Sequence, residues 1–216
     1  MRALRRIVII GAGGHGREAL QIVRAINAHS PTFELLGVLD DDVDASTSLR
    51  RVGTSVIGPP ERLAELDATY VIALGHPVAR KLVAQRLGTP TQEAAVLVHP
   101  LASVGDDVEL SPGCILNAGS RVTTCTVLGR HVHLNTNSTV AHDSQLDGYS
   151  TLSPGANLAG TVRLGEGVFI GTNAAILPGC SVGAWTVVGA GAVVTCDLPP
   201  GITAVGVPAR PLEPVR

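Results

Sequence analysis

One histidine lies in a setting that suits acid–base chemistry. The segment around it reads Val140, Ala141, His142, Asp143 and Ser144. A histidine near its ordinary pKa can accept a proton from an amine or a hydroxyl group as that group attacks a thioester. Asp143 could orient the ring, but neighbouring residues of a strand point to opposite faces, so this requires a bend in the chain. An ordinary surface histidine is the simpler alternative.

A glycine-rich turn near the N-terminus suits the binding of a nucleotide phosphate. It follows an apolar run at residues 7–10 and opens a segment with helical periodicity at residues 16–28. Its residues are Gly11, Ala12, Gly13, Gly14, His15 and Gly16. Glycines let the backbone approach a phosphate, and the free N–H groups of a helix N-terminus bind an anion. Asp40 ends the next strand, where a ribose hydroxyl is usually bound. The alternative is a tight turn with no ligand.

The elements that must position His142 come from a six-residue repeat. From Val98 to Val194 every sixth residue is aliphatic, and the residue four positions later is small or aliphatic. A period of six fits neither a helix nor an alternating strand, and it predicts a parallel β-helix. With three hexads in each coil, residues 98–199 form about five to six coils. Glycines beside the aliphatic residue, such as Gly105 and Gly165, are expected to turn the corners.

The repeat predicts the neighbours of His142, because residues 18 apart stack on successive coils. Thr124 lies on one side of His142 and Gly160 on the other, about 5 Å away. The Gly160 N–H group could stabilise the oxyanion of a tetrahedral intermediate. Cys196 is three coils away, roughly 14 Å at the same spacing, which excludes a catalytic Cys–His pair.

Residues 1–97 are organised differently, with apolar strands that alternate with helical segments. This alternation predicts a Rossmann-like parallel α/β sheet. The expected strands are residues 7–10, 33–39, 70–74 and 94–98, and the expected helices are residues 16–28, 59–66 and 77–87. We therefore expect two domains, residues 1–97 and 98–216, with a hinge at residues 87–92. About 97 residues provide one mononucleotide-binding half, which argues against a dinucleotide dehydrogenase.

The composition of the 216 residues excludes several classes of function. The net charge of −2 comes without a basic cluster, so no nucleic-acid partner is expected. No apolar stretch approaches the length of a membrane span. The four cysteines lack CxxC spacing, which favours reduced thiols in a cytoplasmic protein. His131 and His133 form an H-x-H pair with no convincing third ligand, so no metal is expected.

The combination of these motifs resembles one family along essentially the full chain. Besides the glycine turn and the segment around His142, the resemblance rests on further short motifs. These are Leu39, Asp40 and Asp41; Ala73, Leu74 and Gly75 with Arg80; Ser153, Pro154, Gly155 and Ala156; and the tail at residues 188–194, 197–201 and 206–210. The pattern is similar to the sialic acid O-acetyltransferase and bacillosamine-pathway amino-sugar N-acetyltransferase family. That resemblance implies a left-handed β-helix, a hand that periodicity cannot show.

The resemblance also implies roles for individual residues. His142 is the general base with Asp143 beside it, and Gly160 faces the thioester carbonyl of acetyl-CoA, which lies between neighbouring prisms of a homotrimer. The expected acceptor-binding residues are Gly11, Gly13, Gly14, His15, Gly16, Asp40, Asp41, Gly75, Arg80, His133, Asn135 and Thr151. The residues expected to contact the cofactor are Gly160, Ala175, Pro178, Ala190, Val193 and Pro208.

One departure from the family bears on the acceptor. The family usually has a second histidine nine residues after the base, where this chain has Thr151. Either His133, one coil earlier in the same column, fills that role, or the contact is lost and the acceptor differs. We expect transfer of an acetyl group to the amine of a nucleotide-linked amino sugar. The alternatives are O-acetylation of a sugar hydroxyl and a non-catalytic trimer that binds a nucleotide sugar.

Overall fold

The computed structural model describes residues 3–42 and 46–212. Contacts between residues divide the chain into two compact units, Met1–Pro100 and Leu101–Arg216. The division falls three residues after the boundary expected from the sequence. Each unit has its own architecture. Within the described ranges, no helix is both long and apolar enough to span a membrane.

The N-terminal unit is a parallel sheet with helical connections. Its elements are β1 (Arg5–Ile10), α1 (Gly14–His29), β2 (Phe33–Leu39), α2 (Ser46–Arg50), β3 (Val56–Gly58), a 3-10 helix (Pro60–Glu65), β4 (Thr69–Ile72) and α3 (Pro77–Leu87). The strands pair in parallel in the order β3-β2-β1-β4. The sheet confirms the predicted α/β class, whereas the short elements α2 and β3 were not predicted. The strand expected at residues 94–98 is reduced to Leu97–Val98, and Ala94 forms a single bridge with Tyr70.

A hydrophobic core covers one face of this sheet. Val8, Ile10 and Leu39 from the strands are buried together with Leu63 from the 3-10 helix. Val83 of α3 packs against the same cluster. Each fully buried aliphatic side chain contributes roughly 1.5–3 kcal/mol relative to an exposed one. This core holds the carboxyl ends of β1 and β2 in place, and these ends carry the candidate nucleotide-binding residues.

The C-terminal unit is a parallel β-helix with three faces made of very short strands. Face 1 contains Val108–Leu110, Thr126–Leu128, Gln145–Leu146, Arg163–Leu164 and Ser181–Val182. Face 2 contains Ile115–Leu116, His133–Leu134, Thr151–Leu152, Phe169–Ile170, Val187–Val188, Thr203–Val205 and the antiparallel Arg210–Pro211. Face 3 contains Ser103–Val104, Arg121–Val122, Thr139–Val140, Asn157–Leu158, Ala175–Ile176 and Val193–Val194. Pairs such as Leu128 with Leu146 confirm that residues 18 apart stack.

The interior of the prism follows the repeat. Every repeated aliphatic residue from Leu116 to Val194 is buried, and so is each small residue four positions later from Cys114 to Leu198. In the first coil Val104 remains 38% exposed, because an end coil has a neighbouring coil on one side only. The six-residue spacing therefore predicted the core of this unit correctly.

The corners of the prism correct one expectation about glycine. The third residue after each repeated aliphatic residue from Val104 to Val188 has a positive φ. These residues are Asp107, Gly113, Gly119, Cys125, His131, Asn137, Asp143, Tyr149, Gly155, Thr161, Gly167, Asn173, Gly179, Trp185 and Gly191. Gly105 and Gly165 were expected to turn the corners and do not have a positive φ. A Cβ at Gly105 would lie 1.7 Å from the Thr123 carbonyl oxygen, so these glycines permit close stacking of coils.

Candidate active site

The corner at residues 141–144 brings His142 and Asp143 together. Asp143 has φ +60°, one of the left-handed residues of the corners. This conformation bends the chain, so the Asp143 side chain does not point away from His142 as it would in a regular strand. His142 Nδ1 lies 2.7 Å from Asp143 Oδ2. The bend that the sequence argument required is therefore present.

Gly160 lies directly beneath the His142 ring on the next coil. A Cβ at Gly160 would lie 2.6 Å from both Cε1 and Nε2 of His142, a distance that real Cβ atoms essentially never show. In the surrounding ladder the Ala159 N–H donates to Ile176 at 3.0 Å, and the Thr161 N–H donates to His142 at 2.8 Å. Among the described residues no backbone carbonyl accepts the N–H of Gly160, which is buried beneath the imidazole.

The two ring nitrogens of His142 can have different roles. When Nδ1–H donates to the Asp143 carboxylate, Nε2 carries the lone pair that can accept a proton. The side chains of His142 and Asp143 are 59% and 58% exposed on the single chain, so solutes have access to the pair. A proton acceptor with a neighbouring N–H donor is the arrangement that acyl transfer requires.

The residues expected to contact the cofactor fall on face 3 and its borders. Ala175 pairs with Val193 on this face. Pro178 follows Gly160 in the corner column, as the bond from the Gly179 N–H to the Gly160 carbonyl at 3.0 Å shows. Ala190 lies in the corner that leads into face 3.

The C-terminal tail runs along the last strand of face 3. The Val193 N–H donates to the Gly206 carbonyl at 3.0 Å, and the Ala209 N–H donates to the Val193 carbonyl at 2.7 Å. Pro208, between these contacts, is exposed. The prism thus places the expected cofactor residues and the corner that carries His142 around one face.

The position where the family usually has a second histidine is buried in this chain, and so is the residue stacked on it. His133 pairs directly with Thr151, and these residues are 0% and 1% exposed. The neighbouring Asn135 accepts a hydrogen bond from the Asn117 side-chain amide at 3.4 Å. The structure confirms that His133 lies one coil from Thr151, as the spacing predicts, but it encloses both side chains.

The two histidines of the H-x-H pair occupy different positions of the repeat. The His131 ring lies at a corner and stacks on Tyr149 with ring centroids 5.4 Å apart. His133 lies on face 2. In the part of the chain that the structure describes, no three His, Cys, Asp or Glu side chains group to hold a metal ion.

The glycine turn in the N-terminal unit leads from β1 into the first turn of α1, which begins at Gly14. Gly11 has φ +114°, and a Cβ at Gly16 would lie 1.8 Å from the Gly11 carbonyl oxygen. These two glycines are required for the turn and for the close approach of the helix. Gly13 and Gly14 are exposed, and a Cβ at either would meet no other atom within 4 Å, so their backbone is open to a ligand. The open N–H groups at a helix N-terminus form an anion site.

Asp40 and Asp41 follow β2 and have different partners. Asp40 accepts the Ala12 N–H at 2.6 Å and the Asp42 N–H at 2.8 Å, so its carboxylate ties the glycine turn to the loop after β2. Asp41 accepts two hydrogen bonds of 2.7 Å from Arg86. The Arg86 guanidinium lowers the pKa of the Asp41 carboxyl, chiefly by these hydrogen bonds.

Three further residues that the sequence singled out also have structural partners. Arg80 is fully buried and donates to the Leu74 carbonyl at 2.6 Å, and a longer bond of 3.4 Å reaches the Gly75 carbonyl. Arg80 therefore holds the loop after β4. His15 Nδ1 lies 2.9 Å from Glu18 Oε2, and this hydrogen bond lowers the pKa of the Glu18 carboxyl.

Two family profiles match the chain. Residues 6–87 match the PglD N-terminal domain, and residues 161–196 match the bacterial transferase hexapeptide with six repeats. Each match falls within one of the two units that contacts define.

Two curated relatives extend this similarity. The chain is 35% identical to the UDP-N-acetylbacillosamine N-acetyltransferase of Bacillus subtilis over 120 residues, about half of each protein (53% of this chain and 52% of that one). It is 30% identical to the GDP-perosamine N-acetyltransferase of Escherichia coli O157:H7 over 210 residues, which cover 95% of both. The chain belongs to this family of hexapeptide-repeat acetyltransferases.

Solved structures support the family assignment and the fold of this acetyltransferase. A histidine variant of perosamine N-acetyltransferase from Caulobacter crescentus, in complex with CoA and GDP-perosamine, matches with a TM-score of 0.89 and 30% identity, covering 98% of this chain and 99% of that one. The acetyltransferase domain of PglB from Neisseria gonorrhoeae in complex with acetyl coenzyme A matches with a TM-score of 0.83 and 33% identity, covering 97% and 100%. The predicted fold class, including the left hand of the β-helix, is confirmed.

Proposed function

We propose that this acetyltransferase transfers the acetyl group of acetyl-CoA to the amine of a nucleotide-linked amino sugar. The observation that carries the proposal is the His142–Asp143 pair placed over Gly160, whose N–H donates to no backbone carbonyl of the described residues. Two relatives with amino-sugar N-acetyltransferase names support the acceptor class, and a solved relative in complex with acetyl coenzyme A supports the donor.

In the proposed reaction His142 acts as the general base. Nε2 accepts a proton from the sugar amine as its nitrogen attacks the thioester carbonyl carbon, and the negatively charged oxygen accepts the Gly160 N–H. Asp143 holds Nδ1–H and stabilises the imidazolium that forms. The tetrahedral intermediate then expels the CoA thiolate, which takes the proton from His142, so the products are the acetamido sugar and CoA.

We assign the nucleotide to the glycine turn of the N-terminal unit. The exposed backbone of Gly13 and Gly14 at the start of α1 would bind the diphosphate, and Asp41 the nucleoside. Asp40, His15, Gly75 and Arg80 would act by holding the loops around this site, because each of their side chains or carbonyls already has a protein partner.

We further propose that the acetyltransferase works as a homotrimer in the cytoplasm. Face 3, with Ala175, Val193 and the tail around Pro208, would form one wall of the acetyl-CoA groove, and a neighbouring prism the other. The high exposure of His142 on a single chain supports a partner that completes the site. The four cysteines are free thiols, which supports a reducing compartment.

Thr151 stands where the family usually has a second histidine, and this difference supports a second class of acceptor. His133 and Thr151 are enclosed on face 2, so neither presents a side chain to a solute in the manner of an open second histidine. A different acceptor, such as a sugar hydroxyl, follows if that contact determines specificity. A screen of UDP-, GDP- and dTDP-linked amino sugars beside free sialic acid, measured as free thiol released from acetyl-CoA, distinguishes N-acetylation from O-acetylation.

The proposed base is tested by the substitution His142→Ala. General bases contribute about 10²–10⁴-fold to a rate, so we expect kcat to fall at least 100-fold while the protein remains folded. His29→Ala, at the exposed end of α1, is the matched control and should keep the wild-type rate. An unchanged rate in His142→Ala would eliminate the base. Absence of transfer by the wild-type protein across the whole panel would support a non-catalytic trimer.

A further inference from the structure

A cluster of three charged side chains lies beside the candidate nucleotide site. Arg86, near the end of α3, donates from Nη1 and Nη2 to the two oxygens of Asp41, each at 2.7 Å. The same guanidinium donates from Nη2 to Glu61 Oε2 at 3.0 Å and from Nε to Glu61 Oε1 at 2.5 Å. Asp41, Glu61 and Arg86 come from the loop after β2, the 3-10 helix and α3, so three separate elements meet at one cation.

The stability of the fold does not explain this cluster. The side chains of Arg86, Glu61 and Asp41 are 42%, 51% and 60% exposed. Exposed ion pairs contribute little to stability, because water screens the charges and the long side chains lose entropy. A bidentate fork nevertheless fixes the direction of a carboxylate more strictly than a single hydrogen bond does.

Asp41 lies where a carboxylate of fixed orientation could bind a ligand. In open parallel sheets, ligands bind beyond the carboxyl ends of the strands, and Asp41 lies two residues beyond the end of β2. Its neighbour Asp40 is bonded to Ala12 inside the glycine turn. Each carboxylate oxygen has two lone-pair sites, so Asp41 can accept one hydrogen bond from Arg86 and another from a ligand hydroxyl or N–H at each oxygen.

We propose that Arg86, supported by Glu61, is a positioning residue that orients Asp41 toward the nucleoside of the bound nucleoside diphosphate. The inference rests on the proposed function, which places a nucleotide-linked sugar at the glycine turn. Arg86 acts through Asp41 and lies outside the acetyl-transfer chemistry at His142. Its loss therefore weakens nucleotide binding and leaves the chemical step intact.

The test compares Arg86→Gln, Arg86→Lys and Asp41→Asn in the full chain. Calorimetric titrations with UDP, GDP, CDP and dTDP give Kd, and acetyl-transfer kinetics give KM and kcat. For the diphosphate that the wild type binds, Arg86→Gln should raise Kd about tenfold, a difference of about 1.4 kcal/mol. The acceptor KM should rise in parallel, with kcat and the KM for acetyl-CoA unchanged. Arg86→Lys should restore binding only in part, because an ammonium group cannot make the bidentate contact that a guanidinium makes with a carboxylate.

Two controls separate positioning from general effects. Arg5→Gln removes an exposed arginine whose partner, Glu93, is 3.3 Å away at the other end of the sheet, and it should leave Kd unchanged. If Arg86 acts through Asp41, the double variant Asp41→Asn/Arg86→Gln should bind no more weakly than Asp41→Asn alone. Equal Kd values for wild type and Arg86→Gln, or additive losses in the double variant, would overturn this inference alone. No binding of any diphosphate by the wild type would overturn the nucleotide anchor of the proposed function as well.

Discussion

The contact between His142 and Asp143 depends on a single backbone conformation. An L-residue other than glycine pays roughly 1–2 kcal/mol to adopt the left-handed region, and Asp and Asn are among the residues that tolerate it. Asp143 therefore satisfies two requirements at once, since it turns the corner and provides the carboxylate 2.7 Å from His142. A residue that only turned the corner, such as glycine, would leave the imidazole without this partner.

We predict that Asp143→Asn separates these two roles. Asparagine keeps the left-handed corner but loses the charge that stabilises the imidazolium, so kcat should fall about tenfold, near the lower end of the contribution of a hydrogen bond to a charged group. Thermal unfolding should be unchanged. Asp107→Asn is the matched control, because Asp107 occupies the same corner position with φ +56°. Equal kcat values for Asp143→Asn and Asp107→Asn would remove the carboxylate from the mechanism.

A glycine is needed at position 160 because of the His142 ring and not because of the conformation of the corner. Other members of its column are Thr124 and Pro178, so this position of the repeat accepts side chains. The three atoms nearest to a Cβ at Gly160 all belong to the His142 ring. A small residue at this point of the repeat is therefore a requirement of the site.

At the level of the elements, the left-handed corners impose backbone strain, and glycine relieves it at some corners but not at others. Six of the fifteen left-handed corner residues between Asp107 and Gly191 are glycine, and nine carry a side chain. Thr161 is the least suited of these, because a β-branched residue is a genuine outlier at positive φ. The prism tolerates it because the coils on both sides hold the corner in place.

We predict that Thr161→Asn stabilises the protein. Asparagine tolerates the left-handed conformation better, so the free energy of unfolding should rise by about 1 kcal/mol. That gain corresponds to an increase in Tm of about 2–4 °C in a chain of this length. Differential scanning calorimetry measures the change, with Thr123→Asn as the control at an exposed position that has no positive φ. A lower Tm for Thr161→Asn than for the control would contradict the account of strain.

At the scale of the whole molecule, the candidate site is open on the single chain. His142 and Asp143 stand on an exposed corner, and face 3 presents the small apolar side chains of Ala175 and Val193. Excluding water from an active site suppresses hydrolysis as a side reaction, and an open face does not exclude water. The proposed neighbouring prism would close the site.

We predict three chains per particle in light scattering, and a loss of specific activity on dilution that follows dissociation of the trimer. The physical reason is that each groove would need two prisms, so a free chain would retain His142 but only one wall for acetyl-CoA. Sedimentation at the same concentrations provides the comparison. A monomer with full specific activity would show that one chain suffices.

Much of this architecture follows from local patterns. The six-residue spacing predicted the buried residues from Leu116 to Val194 and the stacking of Gly160 next to His142, because coils of fixed length make sequence distance a spatial coordinate. The glycine turn and α1 were predicted because Gly11 and Gly16 meet strict steric requirements. Short elements without a complete period, such as β3 and α2, carried too little pattern to be recognised.

Other features depend on groups that are distant in the chain. Arg86 meets Asp41 across 45 residues, and no spacing rule joins the end of a helix to a loop after another strand. The burial of Arg80, His133 and Thr151 likewise could not be predicted from the sequence, because solvent exposure depends on everything packed around a side chain. Alternation along a strand even argued against a contact between His142 and Asp143.

The prism, its buried core and the residues stacked above and below His142 could be predicted from the printed sequence, since they follow from a repeat whose geometry is the same in every coil. The contacts at the corner, the enclosed side chains and the charged groups that converge beside the glycine turn were visible only in the folded chain. These features depend on backbone conformation at a corner and on contacts between separate elements, whereas periodicity depends on neighbouring residues alone.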